Sequence, residues 1–218
     1  MAVFTPTKTI QVQLISLQNL ATVAASAGTG RLASSVLDVS TKIAAQIMAK
    51  IGRTVVTAFT ASQGCDIYIQ GSAKAADDDE WYDLVTFGTG ALAACSTNLV
   101  TAGGGAAGTG HSATAITLSA NAAIDYSIAK QWLYFRNGTV ANGEFHRARW
   151  AGTASTALWI DDDLTRAQNS DNIYNGNLVS RALIDLSGVT RLRALAINNA
   201  GVSVDVEVSI ITFDNMTG

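Results

Sequence analysis

The sequence predicts an all-β protein, an antiparallel β-sandwich or jelly-roll-like fold with few short helices. Apolar and polar residues alternate with a period of two over residues 37–51 and 202–210, as in strands that bury one face. Asn-Gly pairs, which favour tight hairpin turns, stand at 137–138 and 142–143. Short strand-like segments with turn residues between them recur along the chain, which is typical of a sandwich or a barrel.

The N-terminal region leaves alternatives open. We predict that residues 1–30 form an arm or a first strand, and that residues 31–218 form a single β-sandwich domain. The segment 14–26 is compatible with an arm that packs on a neighbour, with a short helix or with a first strand. The one proline, Pro6, marks the end of the N-terminal extension. There is no internal repeat and no proline- or serine-rich linker, so one domain is expected.

A long half-buried strand is predicted over residues 37–51. Its odd-numbered residues are almost wholly apolar and its even-numbered residues are mostly polar. Ile43, Ile47 and Ile51 also recur every four residues, as on a helix face. The strict alternation and the β-branched side chains favour a strand over a helix.

The middle of the chain shows the same strand pattern. The strand-like segments are residues 65–72, 81–87, 113–119, 130–138, 140–152 and 156–163. Both Asn-Gly pairs in this region are hairpin signals. Residues 119–130 are the place where a helical turn or two is expected, with Ser119 or Asn121 as its N-cap.

The C-terminal region predicts a three-strand antiparallel meander. Its strands are expected within residues 177–186, 190–197 and 202–210. Turn residues at 186–188 and at 198–201 separate these strands, and they tolerate the backbone conformations of tight reversals. We therefore expect consecutive strands to be neighbours in one sheet.

Length, composition and charge predict a sizeable core and a largely covered surface, and they argue against nucleic-acid binding. The chain has 218 residues, of which 48% are hydrophobic, so a sizeable core is expected. Only 14% are charged, against roughly 25% in ordinary soluble domains, which favours a surface largely covered by other subunits. The formal net charge of −3 and the lack of a long basic run argue against nucleic-acid binding.

Cysteine usage and hydropathy add further expectations. Cys65 and Cys95 form neither a disulfide framework nor a metal-binding pair, and we expect two separate thiols in or near the core. The N-terminus turns polar at once, unlike a signal peptide. No uninterrupted apolar run of about 18 residues exists, so no membrane span is expected.

The glycine-rich stretch 100–114 matches two nucleotide-binding motifs on spacing alone. The residues concerned are Gly103, Gly105 and Gly108 for the dinucleotide fingerprint, and Gly105, Gly110, His111 and Ser112 for the P-loop. In the second motif, His111 stands where the phosphate-binding lysine belongs. Both motifs require a helix after the loop, whereas residues 113–119 alternate as a strand. We predict no nucleotide site, and interpret the stretch as a mobile loop between strands.

Two acidic clusters are candidate ion sites. The first contains Asp77, Asp78, Asp79, Glu80 and Asp83, and the second contains Asp161, Asp162 and Asp163. Calcium binds several carboxylate oxygens, but neither cluster has the spacing of a calcium loop. We interpret both clusters as solvated turns, with a structural ion or a glycosidase-type carboxylate pair as the alternatives.

His146 is considered as a member of a Cys–His or Ser–His dyad. It shares a strand face with Glu144, but no nucleophile partner can be named and the G-x-S-x-G motif is absent. We interpret this face as a polar sheet surface or interface. The arginines Arg147, Arg149, Arg181, Arg191 and Arg193 are expected to pair with acidic loops on neighbouring strands or subunits. We predict no catalytic residue, no cofactor and no metal ligand.

The order of these segments resembles virion structural proteins of tailed bacteriophages. The stretches that carry the resemblance are IGRTVVTAFT, CDIYIQGS followed by DDDEWYDLVTF, LWIDDDLTRAQNSDNIYN and VDVEVSIITFD. The resemblance spans roughly residues 35–214 and concerns the general character of these segments and their order along the chain. It implies a β-sandwich that decorates or cements the phage head, or that forms head–tail or tail parts. It carries over no catalytic residue.

We therefore predict a non-enzymatic virion protein, a capsid decoration or cement protein. It is expected to act as a homo-oligomer, with a trimer favoured, to bind the major capsid protein or other virion proteins, and to bind neither nucleic acid nor membrane. Its expected location is the virion, on the capsid exterior, after synthesis in the host cytoplasm.

The alternatives are a collar, tube or baseplate component, and a carbohydrate- or receptor-binding sandwich. A β-sandwich hydrolase that uses the acidic clusters is the remaining alternative. The aromatic residues of a sugar platform would be Trp81, Tyr82, Trp132, Tyr134, Trp150 and Trp159.

Overall fold

Every regular element that the structure describes is a β-strand. The computed structural model describes residues 11–22, 30–59, 64–76, 80–92, 94, 97–99, 105–111, 114–119, 131–137, 139–151, 156–168 and 172–214. The strands are β1 (Val12–Leu20), β2 (Arg31–Ala33), β3 (Leu37–Asp38), β4 (Lys42–Arg53), β5 (Cys65–Ser72), β6 (Tyr82–Gly88), β7 (Thr97–Leu99), β8 (Ile116–Thr117), β9 (Trp132–Asn137), β10 (Thr139–Ala151), β11 (Ala157–Ile160), β12 (Asn172–Tyr174), β13 (Leu178–Asp185), β14 (Arg191–Asn198) and β15 (Val204–Asp214). The all-β prediction is confirmed.

Helices are absent from these described ranges. The predicted helical turns at 119–130 lie outside the described residues except for Ser119. Among the residues that the structure describes, no helix has the length and apolar character that crossing a membrane requires.

Two antiparallel sheets stack face to face around one shared core. The four-stranded sheet has the order β1-β15-β4-β13, and the five-stranded sheet has the order β2-β14-β5-β6 with β3 also paired to β14. The inward side chains of both sheets are the apolar members of the period-two patterns. They include Ile47, Ile51, Ile67, Ile69 and Val208. Two facing sheets that enclose their apolar faces form a β-sandwich, as the sequence predicted.

A third sheet, with six strands in the order β7-β12-β9-β10-β11-β8, adds a further layer. One of its faces covers a separate, smaller core that includes Leu133, Phe135, Ala148, Leu158 and Ile160. The opposite face lies against the outer side of the four-stranded sheet. Contact there is close, because a Cβ added to Gly52 on β4 would lie 2.7 Å from Cδ1 of Tyr134 on β9.

The strand predicted over residues 37–51 is interrupted after Asp38. The Ser40 N–H donates to Asp38 Oδ1 at 2.9 Å, and the Lys42 N–H donates to the Val39 carbonyl at 2.9 Å. This Asp-Ser turn passes the chain from the five-stranded sheet to the four-stranded sheet, because β3 pairs with β14 and β4 pairs with β15. The local turn chemistry of the aspartate overrides the alternating pattern.

The predicted C-terminal meander over residues 177–210 is wrong. β13 and β15 lie on opposite sides of β4 in the four-stranded sheet, whereas β14 pairs with β5 in the five-stranded sheet. The two turns are therefore arches across the core rather than hairpins. At the second arch the buried Asn198 Nδ2 donates to the Val202 carbonyl at 2.8 Å and to the Leu20 carbonyl at 2.9 Å.

The N-terminal segment contributes a strand. β1 pairs antiparallel with β15, so the described part of 14–26 has the strand conformation among the three alternatives left open. Residues 1–10 and 23–29 lie outside the described residues.

The two Asn-Gly pairs have different outcomes. β9 and β10 pair antiparallel around 137–138, as the first hairpin signal predicts. The second pair, 142–143, lies inside β10, where the register shifts between Thr139 and Glu144. A Cβ on Gly143 would overlap the Tyr134 hydroxyl oxygen, so this glycine leaves space for the Tyr134 side chain and does not form a turn.

Candidate functional site

The described part of the glycine-rich stretch, residues 105–111, is held against residues 160–168. The Gly108 N–H donates to the Leu164 carbonyl at 2.8 Å, and the Leu164 N–H donates back to the Thr109 carbonyl at 2.9 Å. These donors are therefore occupied by the protein's own backbone. This part of the stretch is thus hydrogen-bonded to a neighbouring segment, and its mobility stays a prediction.

His111, at the P-loop lysine position, also has a partner within the protein. The His111 N–H donates to Asp163 Oδ1 at 2.7 Å. In the described part of the chain, the next element is the strand β8 rather than the helix whose N-terminus a phosphate loop requires. Gly103 and Ser112 lie outside the described residues.

Glu144 and His146 are brought together, and they anchor a loop. His146 Nε2 donates to Glu144 Oε2 at 3.0 Å, and both side chains are buried. The same carboxylate accepts the N–H groups of Thr165 at 2.8 Å and Arg166 at 2.9 Å, and the Gln168 side-chain amide at 3.1 Å. Burial raises the pKa of Glu144, but these hydrogen bonds outweigh it and lower the pKa to about 2. The carboxylate thus fixes the chain at 165–168 onto β10.

Two described residues of the first acidic cluster, Glu80 and Asp83, have separate local partners. Glu80 forms an exposed ion pair with Lys74 at 2.6 Å, and Asp83 Oδ1 accepts from Gln70 Nε2 at 2.9 Å. Within the described ranges, no group of three or more His, Cys, Asp and Glu side chains is placed to hold a metal ion. Residues 77–79 lie outside the described residues.

The arginines of β14 face an aromatic ring. The guanidinium carbon of Arg193 lies 4.2 Å from the centre of the Trp81 ring, and that of Arg191 lies 5.1 Å from it. Arg193 Nε also donates to Gln70 Oε1 at 2.9 Å. These contacts fix Trp81 on the outer face of the five-stranded sheet.

Three of the aromatic residues proposed as a sugar platform lie in different places. Trp81 lies under the arginines of β14, Trp132 lines a cleft beside Met48, and Tyr134 is buried between two sheets. A stacking platform requires rings on one accessible face. These three rings do not share such a face.

Cys65 is buried in the sandwich core. Burial, followed by the nearby Asp66, raises the pKa of its thiol to about 12, so the reactive thiolate is strongly disfavoured. Cys95 lies outside the described residues.

A buried charge cluster that the sequence did not reveal joins the sandwich to the six-stranded sheet. Asp205 on β15 is 0% exposed, and its Oδ2 accepts the Tyr134 hydroxyl at 2.7 Å and Arg136 Nε at 2.9 Å. Its Oδ1 accepts Asn19 Nδ2 at 2.7 Å. Burial and the negative charge of Asp205 raise the pKa of Tyr134, so this hydroxyl remains a donor. One carboxylate therefore connects β1, β9 and β15.

The outer edges of the three sheets differ in how well they are protected from pairing. The end strands β2, β7 and β8 contain three residues or fewer. The pairing of β1 is broken by two register shifts and that of β6 by one. β13 is instead an eight-residue strand in unbroken register with β4. Among the described end strands, β13 is the one that lacks both of these common protections.

Along the outer edge of β13, backbone groups that pair with no other described strand stand beside an exposed apolar side chain. The Leu186 N–H donates to the Ile43 carbonyl at 2.9 Å, which sets the alternation of the antiparallel ladder. Even-numbered residues of β13 therefore point their backbone groups at β4, and Val179, Arg181 and Leu183 point theirs away from the sheet. The Leu183 side chain is 72% exposed.

A cleft opens beside this edge, between the four-stranded sheet and β9–β10. It has a volume of about 410 Å³ and is lined by Met48, Trp132, Arg147, Val179, Ser180 and Arg181. Met48, which pairs with Arg181 across the ladder, is 37% exposed. We call the outward side chains Met48, Val179, Arg181, Leu183 and Asp185, together with the free backbone edge, the β13 surface. It is an apolar strip with one cation and one anion.

Comparisons with known proteins identify no family for this chain. No protein-family model and no curated protein matches the chain. Among solved structures, VP17, a capsid protein of bacteriophage P23-77, is similar at 8% sequence identity and a TM-score of 0.18, with 97% of this chain and 100% of that chain covered. A TM-score this low carries no argument about fold or function.

Proposed function

We propose that this chain is a non-enzymatic structural subunit of a bacteriophage particle, a decoration or cement protein on the capsid exterior. The observation that carries the proposal is the β13 surface. A regular, exposed strand edge with an apolar centre is a hazard for an isolated protein, because it pairs with other chains. In a particle, neighbouring subunits cover such an edge, and the same property becomes a means of assembly.

Two further features support the proposal. Charged residues make up 14% of the chain, which fits a surface that other subunits cover. The resemblance of the sequence to virion proteins of tailed phages supplies the kind of assembly. In this role the chain contacts its own copies and the major capsid protein. Many weak contacts to one lattice then act together and stabilise the shell.

Immunogold labelling of virions, combined with quantitative mass spectrometry, tests this role. We expect gold on the outer surface of the head, and a copy number comparable to that of the major capsid protein. Labelling confined to the tail, with few copies, would replace the decoration role by a tail role. Purified virions that lack the chain would refute both roles.

A further inference from the structure

The β13 surface is complementary to itself. Residues of β13 face outward in the order Val179, Arg181, Leu183 and Asp185. An antiparallel pair of two identical strands has a two-fold axis. If that axis passes through Leu183, Arg181 of each strand stands directly opposite Asp185 of the other.

The directions of the backbone N–H and C=O groups of β13 fit this same register. In antiparallel sheets, directly opposed residues alternate between hydrogen-bonded and non-hydrogen-bonded pairs. Arg181 and Leu183 already point their N–H and C=O groups away from β4, as the Leu186–Ile43 hydrogen bond establishes. The pairs Leu183–Leu183 and Arg181–Asp185 are thus hydrogen-bonded pairs, so the side-chain match and the backbone match coincide.

Other registers lose one of the two matches. A shift of one residue pairs odd-numbered with even-numbered residues. The outward side chains of one copy then lie on the same face as the inward side chains of the other. A two-fold axis at Ala182 leaves the outward side chains of both copies on the same face of the joined sheet, but it sets Arg181 opposite Leu183. The register centred on Leu183 is the one that pairs both charges and places the exposed leucines together.

We propose that two copies of this chain join through antiparallel pairing of their β13 strands, with Leu183 on the two-fold axis. The two four-stranded sheets then form one continuous sheet. The joint places the two Leu183 side chains in contact, makes an Arg181–Asp185 ion pair on each side of the axis, and satisfies the outward backbone groups. The partner is a second copy of the same chain. This deepens the assembly role proposed above and gives its first step a two-fold symmetry, in contrast to the trimer that the sequence favoured.

Sedimentation equilibrium and native mass spectrometry test the dimer. The wild-type chain should have twice the chain mass of 22.6 kDa. Leu183→Lys, which sets two cations together on the axis, should return it to the monomer mass. Val36→Lys is the matched control, because Val36 is also exposed, at 47%, but lies outside β13. It should leave the dimer intact. A wild-type monomer or trimer, or a Leu183→Lys dimer, would overturn the proposal.

A charge exchange tests the register. Arg181→Asp and Asp185→Arg should each weaken the dimer at least tenfold, because each sets like charges in opposition across the joint. The double variant Arg181→Asp/Asp185→Arg should restore the dimer. Circular dichroism and Tm verify that each variant is folded, since Asp185 also accepts the Ser187 N–H at 2.8 Å. A double variant that folds but stays monomeric would refute this register.

Crosslinking keeps the proposal testable if the charged variants do not fold. Directly opposed residues in a hydrogen-bonded pair lie about 5.5 Å apart at Cα, within the range of a disulfide. In a Cys95→Ser background, Leu183→Cys should form a disulfide-linked dimer on mild oxidation, and Val36→Cys should not. Equal crosslinking of the two variants would overturn the proposal. Failure of these dimer tests leaves the virion labelling unaffected, so the two proposals fail separately.

Discussion

Replacing Asp205 with alanine should weaken the union of the sandwich and the six-stranded sheet more than any nearby surface change. The substitution removes three hydrogen bonds and leaves Arg136 without its carboxylate. Removing one member of a buried ion pair costs about 3–5 kcal/mol. Because the Arg136 side chain is 21% exposed, water recovers part of that loss, which places the charge contribution near the lower end, about 3 kcal/mol. The unsatisfied Tyr134 hydroxyl adds about 1 kcal/mol, so we expect a total of about 4 kcal/mol.

Urea unfolding followed by tryptophan fluorescence measures this free energy. Glu207→Ala is the matched control on the same strand, since it removes the Lys50–Glu207 ion pair of 3.1 Å, whose side chains are 22% and 12% exposed. Both ends of that pair keep contact with water, whereas Asp205 has none, so the loss of Glu207 should cost clearly less than the loss of Asp205. Hydrogen exchange adds the location of the effect. In Asp205→Ala, the amides of β9 and β10 should exchange faster, and those of β5 and β14 should remain protected.

The double variant Asp205→Ala/Arg136→Met separates charge from packing. Because it removes both members of the pair, it should be more stable than the sum of the single effects predicts, by more than about 1 kcal/mol. An Asp205→Ala cost no larger than that of Glu207→Ala, or simple addition of the two single effects, would show that Asp205 and Arg136 do not form a stabilising buried pair.

Three further predictions concern other parts of the fold. Gly52→Ala forces a Cβ to within 2.7 Å of Tyr134, and should cost about 1–3 kcal/mol in thermal unfolding; an unchanged Tm would contradict this close packing. The pKa of Glu144 is lowered from 4.5 to about 2, so its stabilising effect is present above about pH 4.5 and is lost as the pH falls toward 2. Tm measured against pH should therefore fall less steeply for Glu144→Gln, and identical slopes would argue against the anchor. In a Cys95→Ser background, Cys65 should react with a thiol reagent only on unfolding, and rapid labelling of the native protein would contradict its burial.

The inward faces of the sandwich were predictable from sequence. The alternation along β4 and β15 identifies Ala45, Ile47, Val206 and Val208 as buried, because a strand with one apolar face has one way to lie on a core. The same alternation gives no information about which sheet a strand joins. β13, β14 and β15 carry equivalent patterns, and their turns specify a reversal without distinguishing a hairpin from an arch.

The buried cluster and the β13 surface escaped prediction for a related reason. Asp205 stands on the polar face of β15, where the pattern indicates solvent, yet a third layer covers that face. The residues around Asp205 in the sequence do not indicate that it contacts Tyr134 or Arg136, because these two lie about 70 residues earlier in the chain. The exposed edge at Leu183 depends on β13 being the end strand of its sheet, which is a property of the topology and not of the residue.

The place of β15 in the four-stranded sheet governs when this protein can fold. β15 lies between β1 and β4, so the first strand has no neighbour in its sheet until the last strand exists. At about 5–20 residues per second, a ribosome separates these two strands by roughly 10–40 s. Pairing over such distances in sequence is also slow. The four-stranded sheet is therefore complete only after residue 214 has been made, whereas the β4–β13 pair, whose strands end by Asp185, needs no later strand.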